Sequence, residues 1–168
     1  MTMRIFVSMD AAALSVGAGP VAAAVRAEIA ARKLDAVVVR NGSRGLLWLE
    51  PLLEIETPEG RIGYGPVTAS DVKSIFDAGP KADHPLKLGL VETIPYLAKQ
   101  QRLTFARCGI TDPISMDDYE AHGGLKGLRR ALEMSPASIV QARTPALLEY
   151  TAVPSVYFLK EQTRLSAA

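Results

Sequence analysis

The residues with the most chemical potential in this chain are few and scattered. Cys108 stands between Arg107 and Gly109, and a neighbouring guanidinium favours a thiolate; with no histidine or helix start beside it, a passive cysteine is the plainer reading. His84 and His122 are distant in sequence and lack ligand-spaced partners, so neither argues for a metal. Asp112, Asp117 and Asp118 flank a proline and a helix start, where carboxylates usually cap free N–H groups rather than trade protons. Gly17-Ala18-Gly19 and Gly42-Ser43-Arg44-Gly45 follow extended runs, places where backbone N–H groups can cradle an anion, but neither completes a nucleotide-binding pattern and both read as turns. Trp48, among Leu46, Leu47 and Leu49, offers a stacking surface, though core or interface packing is simpler. Taken singly, these residues name no reaction, and none is assigned a catalytic, cofactor-binding or metal-ligating role.

The elements that would position them form a recognisable order. Residues 4–8 are short, apolar and partly β-branched, then a small-residue loop leads to Pro20, suited to a first helical turn. Val21, Ala24, Val25, Ala27 and Ile29 follow at helical spacing, and 36–39 is another β-branched run. Strand, helix, strand favours a parallel crossover. Runs at 52–56 and 61–67 around Thr57-Pro58-Glu59-Gly60 predict a hairpin, and Thr68 with Asp71 predicts a cap for a helix carrying Val72, Ile75 and Phe76. The order β-α-β, β-β-α up to Ala78 is thioredoxin-like, and it also suits other small sandwiches. The polar, proline-punctuated residues 79–91 read as a linker, and 92–107 shows little periodicity. Beyond it, Ser115 with Asp118 caps a short helix, Gly123 and Gly124 break it, Leu125, Leu128, Ala131 and Leu132 continue as a second, and Ser135-Pro136 opens a third.

The whole chain has 168 residues, 48% hydrophobic and 22% charged, with 19 basic against 18 acidic side chains. That balance fits a folded domain with an attached segment and gives no broad electrostatic reason to bind nucleic acid or anionic lipid. One cysteine forms no internal disulfide, no apolar run approaches the roughly 20 residues of a membrane span, and the N-terminus lacks signal-peptide order. The expectation is a cytoplasmic protein with neither nucleic-acid nor membrane partners.

Two stretches add a family. Residues 102–113, Arg-Leu-Thr-Phe-Ala-Arg-Cys-Gly-Ile-Thr-Asp-Pro, and 117–128, Asp-Asp-Tyr-Glu-Ala-His-Gly-Gly-Leu-Lys-Gly-Leu, resemble the opening of the flavoprotein subunit of bacterial NADH dehydrogenases. The front, with Arg40-Asn41-Gly42-Ser43-Arg44-Gly45, Trp48-Leu49-Glu50-Pro51 and Tyr64-Gly65-Pro66-Val67-Thr68, looks most like the beta subunit of soluble NAD-dependent formate dehydrogenases, with the diaphorase subunit of NAD-linked hydrogenases the close alternative. The resemblance implies an α/β fold: a thioredoxin-like, degenerate ferredoxin-type domain over 1–78, a linker over 79–91, and the mostly helical start of a flavoprotein domain over 92–141. It also implies a complex that moves electrons from formate through FMN and iron–sulfur clusters to NAD, with a molybdenum-containing alpha subunit and an iron–sulfur gamma subunit as partners.

In the related gamma subunit, a domain of this kind holds a two-iron cluster with C-x4-C and C-x3-C pairs. Those patterns fall at about Ser8 and Ala13, then Ser43 and Leu47, none of which supplies a thiolate. The resemblance thus implies a cofactor-free frame used for docking. Residues 142–168, beginning Ala142-Arg143-Thr144-Pro145, depart from the glycine-rich flavin loop of the family, as a frameshifted or fragmentary chain would, and a stand-alone cofactor-free interaction module is the rival expectation.

Overall fold

The computed structural model describes residues 2–141. Residues 142–168, expected to depart from the family, lie outside the described residues. Two compact units divide at 122/123, and each is taken by itself.

The first unit is built on a five-stranded sheet in the order β2-β1-β3-β4-β5. Strand β1 (Met3–Val7) runs parallel to β2 (Ala36–Val39) and antiparallel to β3 (Leu53–Thr57), which forms a hairpin with β4 (Gly60–Tyr64). Gly60 closes that hairpin at φ 130°, and Thr57 Oγ1 donates to its carbonyl at 2.7 Å. Helix α2 (Ala18–Arg32) makes the crossover between β1 and β2, and α3 (Val72–Ala78) follows β4. A parallel pair joined by a helix, then an antiparallel hairpin and a helix, in this strand order, is the thioredoxin-like arrangement expected from the sequence.

Alternation along the strands sorts side chains to two faces. Ile5, Val7, Leu53, Ile55 and Tyr64 join Ala18, Val21, Ala22 and Val25 of α2 and Val72 and Ile75 of α3 in the main core. The α2 residues recur at three- and four-residue intervals, so one stripe of the helix is buried. Each fully buried Val, Ile or Leu adds about 1.5–3 kcal/mol to the folded state. The opposite face carries Phe6 and Glu54, both buried, with Arg4 and Arg61.

Three expectations need correction. The small-residue stretch before Pro20 is not all loop: Asp10 accepts the N–H groups of Ala12 and Ala13 and caps a short helix α1 (Ala11–Ser15), and α2 already begins at Ala18. Thr68 does not cap α3, which starts at Val72; its N–H and hydroxyl instead reach the Asp71 carboxylate in the turn before the helix. The segment 79–91, read as a linker, supplies edge strand β5 (Lys87–Leu90), antiparallel to β4. Lys87 and the left-handed Gly89 hid it from a hydrophobic pattern, and an edge strand tolerates both.

After β5, a 3₁₀ turn at Val91–Thr93 and helix α4 (Pro95–Ala98) put Val91 and Leu97 against Leu46 and Leu52 in a second small core. Helix α5 (Met116–Ala121) starts as expected, with Ser115 Oγ accepting the Asp118 N–H at 3.1 Å. In the second unit, α6 (Lys126–Leu132) follows the Gly123-Gly124 break, Ser135 Oγ accepts the Ser138 N–H at 3.2 Å, and 136–141 is helical.

Candidate functional site

Three loops meet where β1 and β2 end and β3 begins. Met9 N–H donates to Asn41 O at 2.9 Å, and the Arg40 guanidinium donates to the carbonyls of Val7 and Ser8 at 3.0 and 2.9 Å, which binds the first two loops together. Their centre is the Glu50 carboxyl, 5% exposed. Its Oε1 accepts the hydroxyls of Ser8 at 3.3 Å and Ser43 at 3.0 Å, and its Oε2 accepts the Leu52 N–H at 2.9 Å. Burial raises the Glu50 pKa, the nearby Asp10 carboxylate pushes the same way, and the three donors only partly offset them. Asp10 Oδ2 and Asn41 Oδ1 are buried without a hydrogen-bond partner among the described residues.

A second polar cluster lies on the sheet face away from the helices. Arg44 and Glu54, 3% and 2% exposed, pair through two bonds, Nε to Oε1 at 2.8 Å and Nη2 to Oε2 at 2.9 Å. Arg44 Nη1 also reaches Glu92 at 2.7 Å, and Arg61 approaches Glu54 at 3.3 Å. Burial works to lower the Arg44 pKa, but Glu54 and Glu92 outweigh it and hold the guanidinium charged; at Arg61 burial wins and the pKa is lowered. The Arg61 guanidinium also stacks 3.4 Å from the centroid of the buried Phe6 ring, and Arg4 lies 4.9 Å from it.

These side chains hold a strap, residues 102–118, across that face. Asn41 Nδ2 donates to Gly109 O at 2.7 Å; Arg61 donates to Gly109 O at 2.8 Å and Ile110 O at 2.9 Å. Arg102 donates to Arg44 O, and Arg4 pairs with Asp118 at 3.4 Å. Most of the grip is on main-chain carbonyls, so it selects a backbone path more than particular side chains. Gly109, at φ 77°, is required for that path: a Cβ there would sit 2.5 Å from Arg44 Cγ.

The residues singled out from sequence are not brought together into one reactive centre. Cys108 is exposed and lines a pocket of about 220 Å³ with Arg44, Glu92 and Arg102. His84 sits in the turn before β5, and His122 ends α5 with Nδ1 2.8 Å from Asp118 O. Asp112 Oδ1 accepts the Ile114 N–H, and Asp118 accepts the Asp112 N–H and meets Arg4. These carboxylates serve the turn and the first turn of α5. Gly17 and Gly45 take left-handed turns, and the Gly45 N–H is already bonded to Ser43 Oγ. Trp48 does not enter the core: it is 59% exposed, edge-on to Tyr96 at 5.1 Å. Among the described residues, no group of three or more His, Cys, Asp or Glu is placed to hold a metal ion. No helix of the described residues is long and apolar enough to cross a membrane.

Sequence reasoning missed Ser8, Asn41, Arg44, Glu50, Glu54 and Arg61 as an ensemble. No local signal marked Glu54, because its place between Leu53 and Ile55 is the alternation of a strand with one face in water; its burial comes from the distant strap.

The positions that the family resemblance sets against cluster thiolates can be tested for fit. Ser8 and Ser43 both spend their hydroxyls on Glu50, while Ala13 is fully buried and, like Leu47, carries no donor. This set does not fit a two-iron cluster, which needs four soft ligands.

No family model matches the chain. A 42-residue stretch is 48% identical to the NADP-reducing hydrogenase subunit HndC of Solidesulfovibrio fructosivorans, which is 25% of this chain and 9% of that protein. The chain therefore corresponds to a small part of this relative's length. Among solved structures, the wild-type thioredoxin-like [2Fe-2S] ferredoxin from Aquifex aeolicus is 19% identical with a TM-score of 0.44, covering 52% of this chain and 96% of that one. A cysteine-to-serine variant of the same ferredoxin gives 19% and 0.45, covering 52% and 98%.

Proposed function

We propose that residues 4–141 correspond to the front of a diaphorase-type, NADH-dehydrogenase-like subunit of an NAD-linked formate dehydrogenase or hydrogenase. In this reading the thioredoxin-like frame has given up cluster binding and serves to dock subunits and to fix the path of the segment that follows. One observation carries it: the strap, which contains the stretch resembling the flavoprotein opening, is held through its main chain by buried Asn41 and by Arg61 of the sheet domain. The match to a hydrogenase subunit supports the diaphorase-type class, while the formate branch rests on the resemblance of the front residues alone.

The intact assembly would carry FMN, NAD and iron–sulfur clusters, with an iron–sulfur gamma subunit and a molybdenum-containing alpha subunit as partners in the formate case. Coexpression of the full chain with such subunits tests the reading. Copurification with the gamma-type subunit is the expected result, and purified chain alone should not reduce a dye with NADH. Dye reduction by the isolated chain, or elution apart from every subunit tested, overturns it. The second reading, a stand-alone interaction module, is favoured by the first compact unit carrying its own sheet, core and strap, and elution apart from those subunits is its expected result.

A further inference from the structure

We propose that His84 is an acid-sensitive latch on the edge of the sheet, fastening the turn that starts β5 while its ring is neutral. The proton bookkeeping around the ring is closed. Leu86 N–H donates to Nδ1 at 3.2 Å, so Nδ1 carries no hydrogen. Ser74 Oγ lies 3.1 Å from Nε2 and gives its own hydrogen to Asp71 O at 2.8 Å, so it accepts from Nε2–H. The neutral Nε2–H tautomer satisfies every partner, and a second proton on Nδ1 would set two N–H groups against each other.

The consequence reaches the sheet. Leu86 O accepts the Gly65 N–H at 3.0 Å, and His84 O accepts the Lys87 N–H at 2.9 Å, where β5 begins. Releasing Leu86 therefore loosens the turn that starts the edge strand and the Gly65 contact beside it, while the Ile62–Leu90 and Gly63–Gly89 pairs keep β5 on the sheet. Several groups face the ring. The Asp71 carboxylate ahead of α3 is already engaged by the Thr68 N–H and hydroxyl. The Tyr64 ring of β4 stands edge-on at 6.0 Å. In the same turn and strand lie Lys81, Asp83 and Lys87, the last donating to the carbonyls of Lys81 and Ala82. None of them offers Leu86 N–H another acceptor.

Amide hydrogen exchange of the full chain, corrected for intrinsic rates, tests the latch at about pH 7.5 and about pH 5. Protection at Leu86 and Gly65 is expected to fall about tenfold in the wild type on acidification, the weight of one hydrogen bond. His84→Asn keeps an acceptor near the Nδ1 position and does not titrate, so its protection there should hold at both pH values. His84→Gln places its polar atoms near Nε2 instead and should show the weakened state at both. A wild-type loss no larger than that of His84→Asn overturns the proposal. So does a ¹⁵N spectrum of the wild-type ring at neutral pH with the hydrogen on Nδ1, a measurement that needs no variant to fold.

Discussion

Arg44 and Glu54 meet in a two-point ion pair, sealed from water on the sheet face opposite α2 and α3. Among the described residues, each charge is compensated by the other and by the peripheral Glu92 and Arg61. Such a pair adds little over a well-packed apolar pair, but losing one member leaves a buried charge alone.

Glu54→Ala is therefore expected to destabilise the first compact unit by about 3–5 kcal/mol, because Arg44 and Arg61 both lose their buried carboxylate. The double change Arg44→Met with Glu54→Leu should cost far less. Urea unfolding of the three proteins side by side measures this, and equal losses in the single and double variants would contradict it.

Gly109→Ala should unseat the strap. The new Cβ meets Arg44 Cγ at 2.5 Å and Cδ at 2.9 Å, and Arg44 is pinned by two carboxylates. Left-handed backbone adds about 1–3 kcal/mol for a non-glycine residue. Faster exchange of backbone amides along 102–118, with β1 and β3 still protected, is the expected pattern.

Glu50 gives stability a pH slope of defined sign. Its folded pKa is raised above the ordinary 4.5, so the fold holds a proton there more tightly than the unfolded chain does. The resulting stabilisation is complete below about the ordinary value and is lost as pH rises through the raised one. Urea midpoints collected from acid to neutral pH should fall across that interval in the wild type, and Glu50→Gln should remove this component. A slope unchanged by the substitution would show that another group is responsible.

The single tryptophan of the chain, Trp48, reports on docking. With 59% of its surface exposed it should emit as a hydrated indole and be reached by iodide. A partner that covers the Leu47, Trp48 and Tyr96 surface should shift the emission to the blue and cut the quenching constant. Binding that leaves both unchanged takes place elsewhere on the molecule.

Periodicity made the βαβ and hairpin units legible, and Ser115 announced α5 by its capping chemistry. These are local signals, each complete within a dozen residues. Strand β5 was hidden because Lys87 and Gly89 break the apolar pattern, and α1 because it rests on one carboxylate, Asp10, and a run of alanines. The polar clusters stayed out of reach for another reason. Glu54 alternates with Leu53 and Ile55 and so reads as a solvent-facing carboxylate, and the strap contacts join Asn41 to Gly109 and Arg4 to Asp118 across 68 and 114 positions.

The long span of those contacts sets an order for synthesis. As the chain leaves the ribosome, the sheet and helices α1 to α3 are complete once β5 has emerged, yet Phe6, Arg44, Glu54 and Arg61 still face water until the strap follows. Cutting the gene after residue 78 would stop the chain at a still earlier stage, with β4 unpaired on one edge as well as an uncovered face bearing an aromatic ring among charges. Such a piece should be prone to self-association during folding, whereas extending it to His122 completes the compact unit.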